Sequence, residues 1–155
     1  MLIHGHALIE GMASGALLKL TEPLSLWGGV DLQTGRIVDA SHPQRGAVLA
    51  NRLLAVPGSR GSSSSSSALV ELARARRAPA GVITTRSDPI LTIGALVADY
   101  LYGAAIPILI VSDEDFGKVE CGATGHLWCE TDRAVLTIPG HEHACLNGAL
   151  EPGAI

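Results

Sequence analysis

The chain has 155 residues, of which 47% are hydrophobic, and its formal net charge is −4. This size suits one domain with a sizeable core, so we expect a single domain over residues 1–155. Apart from Arg74, Arg76 and Arg77 the basic residues are scattered, which excludes the basic surface that binds nucleic acid. The longest apolar stretch, 104–111, is shorter than the roughly 20 residues that span a bilayer, so no membrane partner is expected.

The cysteines and the N-terminus bear on the cellular compartment. Three cysteines are an odd number and predict no disulfide framework. Residues 1–6 lack the charged and apolar regions of a signal peptide. Because disulfides are rare in the reducing cytoplasm, both features favour a cytoplasmic protein.

The first third of the chain predicts strands joined by turns. Residues 2–9 alternate loosely in hydropathy, as in a strand, and a turn at 11–15 then leads to the apolar residues 16–20. We therefore expect the chain to begin with a hairpin. A Trp-Gly-Gly segment follows at 27–29, and another strand is expected at 37–38.

The middle of the chain predicts alternating helices and strands. A helix at 67–77 precedes a strand at 80–85, and a helix at 90–101 precedes a strand at 107–111. This order implies a sheet that is partly parallel, with antiparallel flanks. Three further strands are expected at 119–121, 126–129 and 134–138. A loosely held tail is expected at 139–155. Together they favour a mixed α/β fold over a helical bundle.

Six consecutive serines, 62–67, stand where the first helix should begin. In isolation such a run is typical of a flexible linker, but apolar residues at 48–56 precede it and helical spacing follows it. The last serines can cap the helix, and the earlier ones stay free for chemistry. Backbone N–H groups at a helix start favour anions, so this loop is a candidate active-site element.

The serine run is one of several motifs that occur in a fixed order along the chain. In order they are Gly5-x-Ala7, Pro23-Leu24-Ser25-Leu26-Trp27-Gly28-Gly29-Val30-Asp31 with Thr34-Gly35, His42-Pro43 with Gly46, Arg60-Gly61-Ser62-Ser63-Ser64, Ala78-Pro79-Ala80, Asp88, the helix start at 94–98 and Ile106-Pro107. Together they resemble one family, the small swivelling subunit or domain of aconitase X dehydratases. The match extends over most of the chain, and the Trp-Gly-Gly segment with Arg-Gly-Ser at this spacing is its most specific part.

The resemblance implies a swivelling β/β/α domain, with a mixed sheet or barrel and flanking helices. This domain would close over a larger aconitase X catalytic subunit, which would hold an iron or iron–sulfur centre. In aconitase-like dehydratases a serine of the swivelling domain removes the proton next to a carboxylate, while the metal helps the hydroxyl leave from the neighbouring carbon. Ser62 occupies the motif position of that base.

The expected substrate-binding neighbours of Ser62 are Arg60, Gly61, Ser63 and Ser64. A serine hydroxyl is a poor base unless N–H donors and a cation stabilise its alkoxide. A guanidinium grips a carboxylate with two parallel hydrogen bonds, so we assign Arg60 to the substrate carboxylate or to the alkoxide. Ser63 and Ser64 are assigned to substrate or oxyanion hydrogen bonds. The structural alternatives are a solvated arginine and two capping serines.

Five more residues are expected to contribute to the shared cleft: Trp27, Gly28, Gly29, Asp31 and His42. Glycines let the backbone approach a ligand closely, although a tight turn with a packed tryptophan is the alternative. Histidine is a natural proton shuttle at neutral pH, and a structural hydrogen bond is the alternative for His42. Asp31 can equally be the first residue of a turn.

Cysteines and histidines cluster late in the chain, at Cys121, His126, Cys129, His141, His143 and Cys145. A metal site is one interpretation. Zinc sites usually contain close pairs such as Cys-x-x-Cys, whereas Cys121 and Cys129 lie eight positions apart. We therefore predict no metal bound by this chain alone, and interpret the cluster as buried thiols and polar histidines.

The resemblance also implies a hydro-lyase that is active only with its larger partner. The alanine- and arginine-rich, bacterial type of composition favours cis-3-hydroxy-L-proline as the substrate, which would lose water to give a pyrroline-2-carboxylate. One alternative is dehydration of mevalonate 5-phosphate, whose phosphate would want more cations than the sequence shows near the serines. Another alternative is a non-catalytic swivelling or binding module.

Overall fold

A closed barrel with helices packed against it forms from residues 1–140, the part of the chain that the computed structural model describes. The elements, in chain order, are β1 (Leu2–Ile9), β2 (Gly11–Lys19), β3 (Val30–Asp31), β4 (Arg36–Ile37), β5 (Leu53–Ala55), α1 (Ser64–Arg74), β6 (Gly81–Thr84), α2 (Pro89–Tyr102), β7 (Ile108–Ile110), α3 (Asp113–Lys118), β8 (Thr124–Glu130) and β9 (Arg133–Thr137). Around the barrel the strand order is β1-β7-β6-β5-β2-β8-β9, and β3 and β4 form a separate small sheet.

The barrel has a parallel part and an antiparallel part. Strands β2, β5, β6 and β7 pair in parallel, whereas the other pairs of the barrel are antiparallel. Parallel neighbours need a crossover connection, and α1 and α2 supply it between β5 and β6 and between β6 and β7. The predicted mixed sheet with antiparallel flanks is confirmed.

The parallel strands are buried on both faces, because successive side chains of a strand point to opposite sides. In β5, Leu53 and Ala55 pack inside the barrel with Ile83. Leu54, between them, packs outside the barrel in the cluster that contains Leu69 of α1. Burial on both faces explains why these strands have continuous apolar sequences.

The predicted N-terminal hairpin is wrong. Residues 11–15 belong to β2, and β1 pairs with β7 and β9 rather than with β2. Close contacts of the barrel explain the glycines: a Cβ on Gly5 would lie 2.1 Å from the Ile110 oxygen, and one on Gly15 would lie 2.7 Å from the Asn51 oxygen. The small residues therefore close the barrel instead of forming a turn.

Helix α1 begins and ends three residues earlier than the predicted 67–77. The serines of its first turn are hydrogen bonded to neighbouring segments, so they join the helix. The chain leaves the helix at Arg76, whose φ of 57° is left-handed.

The strand predicted at 119–121 is also wrong, and α3 stands just before this segment. Ser112 caps α3 by accepting a hydrogen bond from the Asp115 amide at 3.1 Å. Acidic residues in the first turn and Lys118 in the last complement the helix dipole. The other predicted strands and helices are confirmed to within a few residues.

Two predictions concern membranes and the tail. Within residues 1–140, no helix is long and apolar enough to cross a membrane. Of the tail predicted at 139–155, residues 141–155 lie outside the described part of the chain.

Candidate functional site

The serine loop, residues 57–63, leads from the carboxyl end of β5 into α1. The segment 85–88 leaves the neighbouring strand β6 and leads into α2. Because β5 and β6 are parallel, both connections start at the same edge of the sheet. Ligands of parallel α/β sheets bind outside this edge, which directs the search for a site to the serine loop.

The buried carboxylate of Asp88 anchors the serine loop to α2. One carboxylate oxygen accepts a hydrogen bond from the Ser59 amide at 2.6 Å. The other caps α2 by accepting from the amides of Ile90 and Leu91, at 3.0 and 3.2 Å. Burial alone raises the pKa of this carboxyl, but the hydrogen bonds that it accepts, first among them those from Ser59, hold the pKa below its usual value of 3.8. The anchor is therefore ionised at neutral pH.

The serine run divides into buried and exposed members. Ser65 is fully buried, and its Oγ accepts a hydrogen bond from the Trp27 amide at 3.2 Å. The Ser66 hydroxyl donates to the Ile90 carbonyl oxygen at 2.8 Å. Ser62 and Ser63 are exposed, and their hydroxyls make no hydrogen bond within residues 1–140. Ser65 and the partly buried Ser66 thus hold the helix start in place, while the exposed Ser62 and Ser63 keep their hydroxyls available.

The structure differs from the capping alternative for Ser63 and Ser64. Ser63 stands at the N-cap, yet its side chain accepts no cap hydrogen bond, and Ser64 is already the first helical residue. Backbone oxygens accept the hydrogen bonds of the first turn instead. The Ser62 carbonyl oxygen accepts from the Ser65 amide, and the Ser63 carbonyl oxygen accepts from the Ser66 amide, each at 3.0 Å. Capping therefore does not occupy the exposed hydroxyls.

Almost no empty space lies behind the serine loop. Its cavity has a volume of about 10 Å³, room for one water molecule at most. The cavity is lined by Leu24, Leu26, Leu54, Val56, Gly58, Ser59 and Leu91. The loop therefore leaves no room for a small molecule on this side, and only its other side is exposed.

Arg60 is held by Asp39, a residue that the sequence analysis did not single out. The two side chains form an ion pair of 3.0 Å, in which the Arg60 side chain stays 51% exposed. Asp39 also accepts hydrogen bonds from the Ser41 hydroxyl and amide, at 2.7 and 2.9 Å. These bonds, and then the charge of Arg60, lower the pKa of the Asp39 carboxyl. Only the Asp-x-Ser turn pattern of 39–41 signals this role in the sequence.

His42 supports the turn that carries Asp39. The imidazole is buried, and its Nδ1 accepts from the Gln44 amide at 3.1 Å. The proton of the neutral ring is therefore on Nε2, which lies 3.3 Å from the Glu22 carbonyl oxygen. The His42 amide donates to the Asp39 carbonyl oxygen at 3.2 Å. Both ring nitrogens are engaged, which is the geometry of the structural alternative.

The Trp-Gly-Gly segment lies beside the serine loop. Ser25 donates to the Trp27 carbonyl oxygen at 2.9 Å, and a Cβ on Gly61 would lie 2.9 Å from the Ser25 hydroxyl oxygen. Gly29 is buried and its carbonyl oxygen accepts from the Asp39 amide at 3.2 Å. Gly28, with a φ of 77°, has open space at its Cβ position. Trp27 itself is 57% exposed.

Asp31 forms a turn of its own between β3 and β4. Its carboxylate accepts from the amides of Gln33 and Thr34, at 2.8 and 3.1 Å. Its carbonyl oxygen accepts from the Gly35 amide at 2.7 Å. These bonds are the geometry of the turn alternative, and none of them reaches the serine loop.

Arg86 is a second cation at the serine loop and is not among the predicted site residues. A Cβ on Gly58, whose φ is 144°, would lie 2.8 Å from both Nε and Nη2 of Arg86, so the guanidinium lies directly against this glycine. Arg86 is exposed and has no ion pair or hydrogen bond within residues 1–140. The one signal in the sequence is its place directly after a buried strand.

The described residues do not form a metal site. Within residues 1–140, no three His, Cys, Asp or Glu side chains are grouped closely enough to hold a metal ion. Cys121 is exposed, whereas burial raises the pKa of the Cys129 thiol to about 11 and keeps it protonated. His126 lies on β8 with Nδ1 2.8 Å from the Ser14 hydroxyl. The predictions for His141, His143 and Cys145 fall outside the described residues.

Comparison with known proteins identifies the family of this chain. The family model described as the aconitase X swivel domain matches residues 2–138. Cis-3-hydroxy-L-proline dehydratase of Pseudomonas aeruginosa is 45% identical over 112 residues, which are 72% of this chain and 19% of that protein. The phosphomevalonate dehydratase small subunit of Methanothermobacter thermautotrophicus is 39% identical over 89 residues, 57% of this chain and 68% of that protein. The chain thus spans about a fifth of the length of the first of these relatives.

A solved structure has the same fold. The crystal structure of Thermococcus kodakaraensis aconitase X in its holo-form matches with a TM-score of 0.78 and 28% identity. The match covers 89% of this chain and 98% of that chain. The predicted fold class, a mixed sheet or barrel with flanking helices, is confirmed.

The Asp88 anchor predicts a specific effect of Asp88→Asn. The amide can still cap α2 with its oxygen, but its NH₂ group would face the Ser59 amide, so we expect a loss of about 1–3 kcal/mol in the free energy of unfolding at pH 7. Because the folded-state pKa lies below 3.8, the wild-type advantage is fully present above that pH and is lost as the pH falls through the folded pKa. Urea unfolding between pH 7 and pH 2.5 measures it.

The exposed Asp99→Asn on the same helix is the matched control and should change stability little. Hydrogen exchange of the Ser59 amide should accelerate in Asp88→Asn alone. Equal stability and equal exchange in the wild type and Asp88→Asn would show that the anchor is wrong.

Proposed function

Because this chain belongs to the aconitase X swivel-domain family, we propose that it is the small subunit of a hydro-lyase that dehydrates a hydroxy acid together with a larger aconitase X subunit. The serine loop carries this proposal, since it is anchored from behind and leaves the Ser62 hydroxyl exposed and free. A substrate fits only in front of the loop, where a second protein would close the cleft. The names and lengths of the relatives support a larger partner.

We assign the base of the reaction to Ser62. Its alkoxide takes the proton from the carbon next to the substrate carboxylate, and the electron pair of that C–H bond forms a double bond to the neighbouring carbon. The hydroxyl group on that neighbour leaves as hydroxide. The proton on Ser62 and the hydroxide together account for the water lost, and release of the proton restores the alkoxide.

The alkoxide needs positive partners, because an ordinary serine hydroxyl is a very weak acid. The dipole of α1 favours negative charge beside Ser62, although the Ser65 and Ser66 amides already donate to the Ser62 and Ser63 carbonyl oxygens. Arg60 adds a cation, and its guanidinium is paired with Asp39 at 3.0 Å. We assign Arg60 to the alkoxide on this basis.

We assign the substrate carboxylate to Arg86. Its guanidinium lies against Gly58 at the base of the serine loop and has no ion pair within residues 1–140. A free guanidinium can grip a carboxylate with two hydrogen bonds, whereas that of Arg60 is already engaged by Asp39. Ser63 and Ser64 remain assigned to hydrogen bonds with the substrate.

We assign the iron or iron–sulfur centre to the larger subunit. The residues of 1–140 do not fit such a centre, since they contain no group of three candidate ligands. The buried, protonated Cys129 thiol is likewise unsuited to bind a metal. In this proposal the small subunit contributes the base and the anion-binding groups.

We propose cis-3-hydroxy-L-proline as the substrate and a pyrroline-2-carboxylate as the product. The support is the 45% identity to a dehydratase named for this substrate, compared with 39% to a phosphomevalonate dehydratase small subunit. Mevalonate 5-phosphate is the second candidate. The sequence shows few cations near the serines for its phosphate, but in the structure Arg86 brings an additional cation to the serine loop.

A non-catalytic swivelling or binding module is the remaining alternative. Such a module has no need for a free hydroxyl at Ser62 beside a positioned arginine. The two functions therefore differ in what removal of this hydroxyl does to turnover.

We expect Ser62→Ala to lower kcat of the two-subunit enzyme about 10²–10⁴-fold, the range for loss of a general base. KM should change only a few-fold, because the methyl group of alanine leaves the binding groups in place. Steady-state kinetics with the assembled complex measures both constants. The exposed Ser67→Ala is the matched control and should keep wild-type kinetics. Near-normal turnover by Ser62→Ala would contradict the role of Ser62 as the base and favour a non-catalytic swivelling or binding module.

We expect Arg86→Gln to raise KM about 10–100-fold with a smaller effect on kcat, since a hydrogen bond between charged groups contributes about 1.5–3 kcal/mol. Kinetics with cis-3-hydroxy-L-proline and with mevalonate 5-phosphate also identifies the substrate. Arg133→Gln, an exposed change on β9, is the control. An unchanged KM in Arg86→Gln would remove Arg86 from the substrate site.

A further inference from the structure

The solvent-facing side of α2 is apolar along its length. We call its six large exposed side chains the α2 face. They are, with their exposed fractions, Ile93 (54%), Leu96 (54%), Val97 (37%), Tyr100 (88%), Leu101 (54%) and Tyr102 (47%). Asp99 is the one charged residue of the helix. Single exposed apolar residues are ordinary on protein surfaces, but a contiguous row of them marks an interaction site.

The opposite side of α2 is already packed against this chain. Leu91, Ala95 and Ala98 are buried in the cluster between the helices and the sheet. Gly94 lets α1 approach closely, since a Cβ there would lie 3.0 Å from Leu69 Cβ. The helix is therefore apolar on all sides, which is typical of helices that are buried all round. Within residues 1–140 only one of its sides is covered.

We propose that the α2 face docks against the larger aconitase X subunit, an inference that rests on the proposed function. Continuity with the serine loop selects this partner. Asp88 ties the first turn of α2 to Ser59, and the Ser66 hydroxyl ties it to the start of α1. Ile93 lies five residues beyond Asp88, about 7.5 Å along the helix, so a protein that closes the cleft over the loop reaches the α2 face.

The lengths of the relatives supply the second reason. In the Pseudomonas aeruginosa dehydratase the matched region is 19% of the protein, so most of that chain is available to cover this domain. The α2 face extends for about 14 Å and gives only part of the roughly 800 Å² that each partner of a stable interface buries. The exposed surface around the serine loop, with Trp27, supplies further area.

The test is co-expression of the tagged chain with the larger subunit from the same genome, followed by anaerobic affinity purification. We compare the wild type with Leu96→Glu and Tyr100→Glu, which place a charge in the α2 face. Met12→Glu is the matched control, because Met12 is 69% exposed on β2. Circular dichroism and thermal unfolding check that each variant is folded, and size-exclusion chromatography gives the size of each chain alone.

We expect the wild type and Met12→Glu to recover the larger subunit, and both α2 variants to recover at least tenfold less of it. Recovery by the α2 variants at the wild-type level would overturn this inference and leave the proposed function standing. A wild-type dimer that the α2 variants make monomeric, with the larger subunit still recovered, would assign the face to a second copy. Failure of the wild type itself to recover a larger subunit would contradict the proposed function, and the inference with it.

Discussion

The hydrogen bonds of the Asp88 carboxylate determine where the serine loop lies. One oxygen holds the Ser59 amide and the other caps α2, so the loop and the two helices are fixed relative to each other. The arrangement needs an ionised carboxylate in a buried position, which three accepted hydrogen bonds make favourable. The hydroxyls of the buried Ser65 and the partly buried Ser66 add hydrogen bonds from the side of α1. The serine loop is thus tied to both helices through Asp88, Ser65 and Ser66.

The serine loop is anchored on one side and exposed on the other. The Ser59 contact with Asp88 lies beside a space too small for a substrate, whereas Ser62 is exposed on the other side of the loop. A base that acts on a bound substrate has to be positioned closely, and its active site has to exclude water. The chain supplies the position through its anchors. Residues 1–140 leave Ser62 exposed to water, so the proposed reaction requires a further surface that covers it.

Local patterns predicted the parts of the fold that depend on local residues. Strands with continuous apolar sequences, such as Gly81–Thr84, and the two long helices α1 and α2 could be identified in this way. The N-terminal hairpin failed because β1 and β2 find their partners far along the chain, as in the pairs of His6 with Ile110 and of Met12 with Trp128. No local pattern reports which distant strand will be adjacent.

The candidate site shows the same division. Arg60 and Ser62 belong to a contiguous motif and could be singled out from the sequence. Asp39 and Arg86 could not, because each matters only through a contact that the fold creates, with Arg60 and with Gly58. His42 and Asp31 belong to the same motif pattern, yet the hydrogen bonds shown by the structure serve their own turns.

The most direct test of a shared active site is a mixing experiment with separately purified subunits. The larger subunit is titrated with this chain, and loss of water from cis-3-hydroxy-L-proline is followed at each ratio. We expect no turnover by either subunit alone, and activity that rises to a plateau as this chain saturates the larger one. Turnover by the larger subunit alone at the plateau rate would contradict a catalytic role for the serine loop.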